Sequence, residues 1–256
     1  MDLIGKTCVV TGGAQGIGAA LVSALKKAGA KSVVSVDLAP HSSEDADGTL
    51  AYDVSDRAQM GAMIDHVEQA YGPIDLMCSN AGIGGAFDTT YENIAFADVD
   101  DWNRAWGVNV MAHVHAAHFL IPKMKARGGG YFLHTVSAAG LLSQIGSSVY
   151  STTKHAAIGF AESLAIGHRD DGIRVSVLCP QGVATPMLEG MPEGPQSGDG
   201  LLSADAVADA ALKGIAEERF LILPHEQVAG YMHAKLENYD RWIGGMAKLQ
   251  RGFKPT

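Results

Sequence analysis

The sequence has little positive charge and no long apolar run. Lys and Arg number 19 against 28 Asp and Glu in 256 residues, a formal charge of −9. Binding to nucleic acid or to an anionic membrane needs a basic stripe, so this balance speaks against both partners. No stretch approaches the roughly 18 continuous apolar residues of a membrane span, and residues 1–6 do not begin a secretion signal. We therefore expect a cytoplasmic protein.

Cysteine is scarce as well. Cys8, Cys78 and Cys179 lie far apart, each in an apolar run that is typical of a β-strand. Such positions favour buried free thiols over a disulfide or a zinc site. None of the three has the basic or polar surroundings that would lower the pKa of a catalytic thiol.

Apolar residues and glycine are abundant. Apolar residues make up 47% of the chain, which is enough for a large core, and we expect one domain over residues 1–256. Glycine accounts for 31 of the 256 residues. That share exceeds the usual ~7%, so many backbone segments are expected to approach closely.

Apolar runs alternate with longer helical patterns. The runs rich in Val, Ile and Leu predict strands at residues 7–11, 32–37, 74–79, 130–137, 173–180 and 220–223, with a third strand ahead of Asp53. The helical patterns cover residues 17–28, 56–71, 101–126, 148–168 and 203–216. Strand followed by helix, repeated, predicts an α/β fold with a doubly wound parallel sheet and helices on both faces.

Two later segments stand apart from this alternation. Residues 187–202 form a long connection rich in Gly, Pro and Met, which suits either a lid over a substrate or an exposed loop. Residues 225–253 carry apolar side chains at spacings of three and four and predict one amphipathic helix. A core or subunit contact is the first interpretation of that helical tail, and a wall of a substrate cleft is the second.

A glycine-rich turn directly follows the first predicted strand. Gly12, Gly16 and Gly18 are spaced differently from the usual G-x-G-x-x-G, but a strand precedes them and a helix follows. Glycines let a backbone approach a pyrophosphate, and a helix N-terminus offers free N–H groups. Glycine is also common in ordinary turns, so the flanking elements carry the prediction of a dinucleotide site.

The second predicted strand ends at Asp37, 19 positions after Gly18. A carboxylate there can accept hydrogen bonds from the ribose hydroxyls of adenosine. It would repel a 2′-phosphate, and neither Gln15, Leu38 nor Ala39 offers a positive charge to offset it. The sequence therefore predicts NAD as the cofactor in preference to NADP.

Three polar residues suggest a catalytic site. Ser137 ends the fifth predicted strand, while Tyr150 and Lys154 are four residues apart on a helical stretch and so share one face. An ammonium beside a phenol favours the phenolate and lowers the pKa of the tyrosine, which makes it a better base. A tyrosine and a lysine at this spacing often mark only a solvated helix face, but the preceding cofactor turn favours chemistry.

Taken in order, these motifs resemble the short-chain dehydrogenase/reductase family, in its compact single-domain branch with a Rossmann-like fold. The resemblance runs from about residue 6 to residue 224 and rests on the glycine turn, Asp53, Asn80-Ala81-Gly82, Asn109, Ser137, Tyr150 and Lys154. It implies hydride transfer between NAD and an alcohol or ketone, with Tyr150 as acid and base. It also implies that Asn109 is a fourth catalytic residue, and that the protein forms a homotetramer or a dimer through the helices at 101–126 and 148–168.

The predicted cofactor set combines the turn, the strand ends and the family positions. Its members are Gly12, Gln15, Gly16, Ile17, Gly18, Asp37, Leu38, Asp53, Val54, Asn80, Ala81, Gly82, Tyr150, Lys154, Pro180, Gly182, Val183 and Thr185. Gln181 departs from the glycine that the family commonly has after Pro180. Residues 84–100 also form a longer connection than such proteins need.

The predicted substrate contacts are mostly apolar and lack Arg or Lys, which predicts an apolar secondary alcohol or ketone as substrate. These contacts are Leu141, Leu142, Ile145, Met187 and Leu188. His113, His115 and His118 could suggest a metal site, but the first two side chains diverge by about 200° on a helix, so none is predicted. A non-catalytic dinucleotide sensor remains the alternative, and the chain is short for a nucleotide-sugar epimerase.

Overall fold

The computed structural model describes residues 1–189, 194 and 197–253, so part of the predicted lid, residues 190–193 and 195–196, lies outside the described residues. Seven strands are seen in that part of the chain: β1 (Thr7–Thr11), β2 (Ser32–Asp37), β3 (Gly48–Ala51), β4 (Leu76–Ser79), β5 (Gly130–Thr135), β6 (Ile173–Leu178) and β7 (Leu221–Ile222). The helices there are α1 (Gly16–Lys27), α2 (Arg57–Tyr71), α3 (Val99–Trp106), α4 (Ala112–Ala126), α5 (Ser148–Gly167), α6 (Ala204–Ala216), α7 (Gln227–Glu237) and α8 (Tyr239–Arg251).

The strands form one parallel sheet in the order β3-β2-β1-β4-β5-β6-β7. Strand order reverses between β1 and β4, and in open α/β sheets ligands bind beyond the carboxyl ends of the strands at such a point. The predicted doubly wound α/β fold is confirmed.

Helices cover both faces of the sheet. Successive strand residues point to opposite faces, so each strand contributes apolar side chains to both cores. In β1, Val9 joins the core under α2, α4 and α5, while Cys8 and Val10 join the core under α1 and α6. Cys8, Val9 and Val10 are fully buried. The three cysteines of the chain, Cys8, Cys78 and Cys179, are buried free thiols. Among the described residues, no helix combines the length and apolar character that crossing a bilayer requires.

Two predicted helices are interrupted in the structure. The pattern at residues 101–126 predicted one helix, but α3 begins at Val99 and is separated from α4 by a π-helical turn, Gly107–Met111. The tail at 225–253 predicted one helix and forms α7 and α8 instead. Asn238 separates them because its backbone is extended and its side chain accepts a hydrogen bond from the Arg241 N–H, which caps α8.

Candidate functional site

The glycine-rich turn between β1 and α1 leaves its backbone open at the end of the sheet. Gly12 and Gly16 have φ angles of 64° and 55°, in the left-handed region that favours glycine. A Cβ atom at Gly18 would overlap the carbonyl oxygen of Gly12, so a side chain there would disrupt the turn. Gly16, Ile17 and Gly18, in the first turn of α1, line the cleft described below, where the N–H groups of a helix N-terminus can bind an anion.

Asn80 ties this turn to the end of β4. Its side-chain amide donates hydrogen bonds to the carbonyl oxygens of Thr11 (3.0 Å) and Gly12 (3.3 Å). The backbone N–H groups of Asn80 and Ala81 donate to the Thr11 hydroxyl at 3.0 and 3.1 Å. These bonds hold the two strand ends together across the reversal of strand order.

A cleft of about 390 Å³ begins at this junction and continues to Tyr150 and Lys154. With one exception, every residue of the predicted cofactor set lines it. The exception is Gly182, which is buried and accepts a hydrogen bond from the Leu202 N–H at 3.1 Å. The lining also contains residues that the sequence did not predict for the cofactor: Tyr52, Ile83, Val108, Thr135, Val136, Ser137, Gln181, Pro186, Met187 and Leu188.

The acidic residues of the cleft are held by backbone and hydroxyl donors. Asp37 Oδ2 accepts a hydrogen bond from the Ala14 N–H at 3.0 Å, which fixes the carboxylate beside the glycine turn. Asp53 Oδ1 accepts from the backbone N–H and the hydroxyl of Ser55, at 2.8 and 2.6 Å. Among the described residues that line the cleft, Lys154 is the only basic one.

Ser137, Tyr150 and Lys154 meet at the inner end of the cleft. Ser137 and Tyr150 line both the cleft and the cavity described below. Lys154 is 3% exposed; its Nζ lies 5.5 Å from the centre of the Tyr150 ring and donates to the Thr135 carbonyl at 3.3 Å. The spacing of four residues thus places the ammonium beside the phenol, as predicted.

The electrostatic consequence differs from the prediction. Burial raises the pKa of Tyr150 above its ordinary value, and a side-chain hydrogen bond with Ser137 offsets this rise only in part. Burial also lowers the pKa of Lys154 to about 8. The expected lowering of the Tyr150 pKa is therefore wrong for the protein alone, because desolvation of the phenol dominates the shift.

Asn109 lies in the π-helical turn between α3 and α4 and is fully buried. Its Oδ1 accepts from the Ile83 N–H at 2.9 Å, and its Nδ2 donates to the Ile83 carbonyl at 2.9 Å and to the Thr153 hydroxyl at 3.1 Å. The side chain therefore joins the segment after β4 to α5, the helix that carries Tyr150 and Lys154. Wide turns of this kind occur frequently at functional sites.

A second cavity, of about 1280 Å³, opens on the other side of Ser137 and Tyr150. Of the predicted substrate contacts, Leu142, Met187 and Leu188 line it. The other two are placed elsewhere in the described structure: Leu141 packs against the core, and Ile145 is buried. Both side chains are taken up by packing inside the protein and are absent from the lining of the cavity.

The C-terminal helices supply much of the cavity wall, which supports the second interpretation of the tail. The residues that they and the following turn contribute are Tyr231, Ala234, Glu237, Asn238, Arg241, Trp242, Gly245, Met246, Leu249 and Phe253. Arg241 is among them and adds a positive charge that the five predicted contacts lack. The stripe of apolar residues in the sequence was the signal for this wall, but it did not say which surface the helices cover.

Gln181, where the family commonly has glycine, lines both the cleft and the cavity. Its backbone N–H donates to Nδ1 of His225 at 3.1 Å. Burial lowers the pKa of His225, which favours the neutral ring that can accept this bond. Sequence reasoning missed His225, because 44 residues separate it from its partner.

The three histidines of α4 have different surroundings. Nδ1 of His113 lies 2.8 Å from Nδ1 of His134 in the core, whereas His118 Nε2 contacts the Arg57 guanidinium at 2.9 Å. His115 is buried. The structure therefore does not bring the three side chains together.

Comparison with known proteins gives a consistent result for most of the chain. A family model described as short chain dehydrogenase matches residues 6–196. The chain is 34% identical over 235 residues to 1-deoxy-11-beta-hydroxypentalenate dehydrogenase of Streptomyces avermitilis, a match that covers 87% of this chain and 85% of that protein. It is 32% identical over 200 residues to 3beta-hydroxysteroid dehydrogenase 2 of Eggerthella lenta, covering 74% and 75%.

Among solved structures, a short chain dehydrogenase/reductase from Burkholderia phymatum in complex with NAD superposes with a TM-score of 0.79. It is 26% identical, and the match covers 93% of this chain and 96% of that one.

Proposed function

The chain belongs to the short-chain dehydrogenase family and is an oxidoreductase, and we propose that it transfers a hydride between NAD and a bulky, mainly apolar secondary alcohol or ketone. The observation that carries this proposal is the shared wall of the two cavities. Ser137 and Tyr150 line both the narrow cleft and the larger cavity, so a cofactor in one and a substrate in the other would meet at these two side chains.

The residues of the cleft fit a dinucleotide. The glycine turn and the N–H groups at the start of α1 would hold the pyrophosphate. Glycine is required in this turn because a Cβ at Gly12 would lie 2.9 Å from Ala81, where the two backbones approach closely. The Lys154 ammonium, with no carboxylate within salt-bridge distance in the described residues, would hold the nicotinamide ribose. When bound, the nicotinamide accepts the hydride during oxidation and donates it during reduction.

The charges of the cleft favour NAD over NADP. Asp37 is fixed at the end of β2 by the Ala14 N–H, at the position where a carboxylate can bind the adenosine ribose. A 2′-phosphate beside that carboxylate would be repelled, and the basic group of the cleft, Lys154, lies at its other end. Leu38, which is exposed beside Asp37, offers no compensating charge.

The catalytic roles follow from the contacts of each side chain. Tyr150 exchanges the hydroxyl proton with the substrate, and Ser137, its hydrogen-bond partner, binds the substrate oxygen. Lys154 supplies the positive charge that the buried phenol needs in order to ionise. Asn109 fixes α5 relative to the segment after β4, and through it the placement of Lys154.

The larger cavity favours a bulky substrate. About 1280 Å³ exceeds what a small alcohol fills, and apolar side chains such as Leu142, Trp242 and Met246 line it. Two of the relatives are named for a hydroxypentalenate and a hydroxysteroid. Met187 and Leu188, at the start of the predicted lid, line the cavity and would contact such a substrate.

Kinetics with two alcohols and two cofactors test this function. A 3-hydroxysteroid should react with NAD with a kcat/KM roughly 100-fold above that of 2-butanol, because each buried CH₂ contributes about 0.8 kcal/mol. NAD should be preferred over NADP by about tenfold or more. Absorbance of the reduced cofactor measures each rate. Exclusive turnover of a small, highly charged polyol would contradict the substrate class, and a tenfold preference for NADP would contradict the cofactor.

Asp37→Ser provides the matched variant for the cofactor. Without the carboxylate, the preference for NAD should narrow, mainly through a lower KM for NADP, while the kcat with NAD stays near that of the wild type. An unchanged preference would mean that Asp37 does not set the specificity.

We further propose that residues 1–256 form one domain that assembles as a cytoplasmic homotetramer through the faces of α3–α4 and α5. Exposed apolar side chains on these helices, among them Val99, Trp106 and Ile166, support such contacts. The free, buried cysteines suit a reducing compartment, where cell fractionation should recover the protein. Light scattering should give a mass about four times that of the 26.8 kDa chain, and a monomer would contradict the assembly.

A further inference from the structure

The C-terminal hairpin of α7 and α8 forms a wall of the substrate cavity although it is thinly packed. Within α7 only Val228 and Lys235 are buried, and α8 has no buried residue. Few contacts therefore hold the hairpin in its position along the cavity. At the end of α7 nearest α8, the one buried side chain is that of Lys235.

Lys235 makes an unusual contact for a lysine. It is 7% exposed, and its Nζ donates to the carbonyl oxygens of Leu141 and Leu142 at 2.8 and 3.0 Å. The same Nζ lies 5.3 Å from the centre of the Tyr239 ring, at the start of α8. Within the described residues no carboxylate pairs with it, so backbone carbonyls and an aromatic ring are its partners.

The carbonyls that Lys235 binds belong to the segment that follows the catalytic serine. A 3₁₀ turn, Ala138–Gly140, begins at Ser137, whose Oγ accepts from the Ala139 N–H at 3.1 Å. The N–H groups of Leu141 and Leu142 then donate to the Ala138 carbonyl at 3.0 and 2.8 Å. Lys235 thus joins the hairpin to a rigid segment that starts at Ser137.

We propose that Lys235 is a positioning residue that sets substrate specificity. Its ammonium fixes the hairpin against Leu141 and Leu142 and thereby places the α8 side chains Trp242, Met246 and Leu249 at the distance from Ser137 that a bulky substrate requires. This inference rests on the proposed function, since it assumes that the reaction occurs at Ser137 and Tyr150. A small alcohol reacts at the same two side chains without contacting α8.

Lys235→Met tests the proposal, because methionine keeps much of the length of the side chain but cannot donate hydrogen bonds. The KM for a 3-hydroxysteroid should rise about tenfold with kcat changed less than about twofold, and kcat/KM for 2-butanol should stay near the wild-type value. Lys235→Arg, which keeps donors and charge, should restore most of the steroid KM. Lys248→Met, at an exposed lysine of α8, is the matched control and should behave as the wild type.

A steroid KM in Lys235→Met within about twofold of the wild type would overturn the proposal, and so would an equal loss for both alcohols. Hydrogen exchange provides an arm that needs no substrate. Exchange of the α8 amides should be faster in Lys235→Met than in Lys248→Met, and equal exchange would also overturn the proposal. Failure of the wild type to oxidise either alcohol would instead contradict the proposed function, and leaves the exchange result to decide on Lys235.

Discussion

Tyr150→Phe is expected to lower kcat/KM for secondary alcohols by about 10³-fold or more, while the dissociation constant for NAD stays within about twofold of the wild-type value. In the proposed reaction the phenol hydroxyl exchanges the substrate proton, and it hydrogen-bonds with Ser137. Phenylalanine keeps the ring that lines both cavities but removes the proton acceptor, so binding and chemistry are separated. Steady-state kinetics measure the first effect, and quenching of tryptophan fluorescence on titration with NAD measures the second.

Tyr71→Phe serves as the control, since Tyr71 ends α2, outside both cavities. It should leave kcat/KM unchanged. If Tyr150→Phe kept more than about a tenth of the wild-type kcat/KM, Tyr150 would not be the acid and base. A parallel loss of NAD binding would mean that the ring shapes the cleft and does not act in proton transfer.

Lys154→Met is expected to lower kcat/KM by about 10²-fold or more and at the same time to stabilise the cofactor-free protein by about 2 kcal/mol at pH 7. Activity falls because the buried phenol loses the charge 5.5 Å from its ring centre. Stability rises because the wild type buries an ammonium at a cost, and burial lowers its pKa to about 8. Loss of the hydrogen bond to the Thr135 carbonyl offsets part of the gain.

The pH dependence of this difference follows from the direction of the Lys154 shift. Below pH 8 the lysine is charged in both the folded and the unfolded chain, so the full cost of burial is present. Between about pH 8 and 10.5 the unfolded chain binds more protons than the folded chain. The free energy of unfolding of the wild type therefore increases relative to that of the variant as pH rises. Urea unfolding at pH 7 and pH 10 measures the difference in the free energy of unfolding between the variant and the wild type. Lys213→Met, on the exposed face of α6, is the control. A variant less stable than the wild type at pH 7 would contradict this account.

The sheet could be predicted closely from the sequence because its strands are buried on both faces and read as continuous apolar runs. The predicted bounds of β1 and β2 match the structure. The breaks in the helices could not be predicted as readily. The π-helical turn at Gly107–Met111 lies inside a stretch that reads as one helix in the sequence, and Asn238 ends α7 within an unbroken apolar stripe. The side chain of Asn238 was a capping signal that periodicity alone overlooks.

The placement of Tyr150 beside Lys154 could be predicted from the sequence, but the electrostatics of the two groups could not. A spacing of four placed Lys154 beside Tyr150, yet it could not show that both groups are buried deeply enough for desolvation to dominate their pKa values. Contacts between distant segments were not predictable at all. Lys235 reaches the Leu141 carbonyl across 94 residues, and no local pattern in the sequence marks either partner.

Transfer of deuterium tests the central claim most directly. The enzyme would be incubated with NAD and a secondary alcohol from the panel that carries deuterium on its carbinol carbon, and the reduced cofactor would be analysed by mass spectrometry. Direct hydride transfer from the carbinol carbon to NAD, with Tyr150 accepting the hydroxyl proton, predicts that the reduced cofactor contains the deuterium and that Tyr150→Phe forms almost none of this product. Reduced cofactor without deuterium, or labelled product formed equally by Tyr150→Phe, would contradict the account.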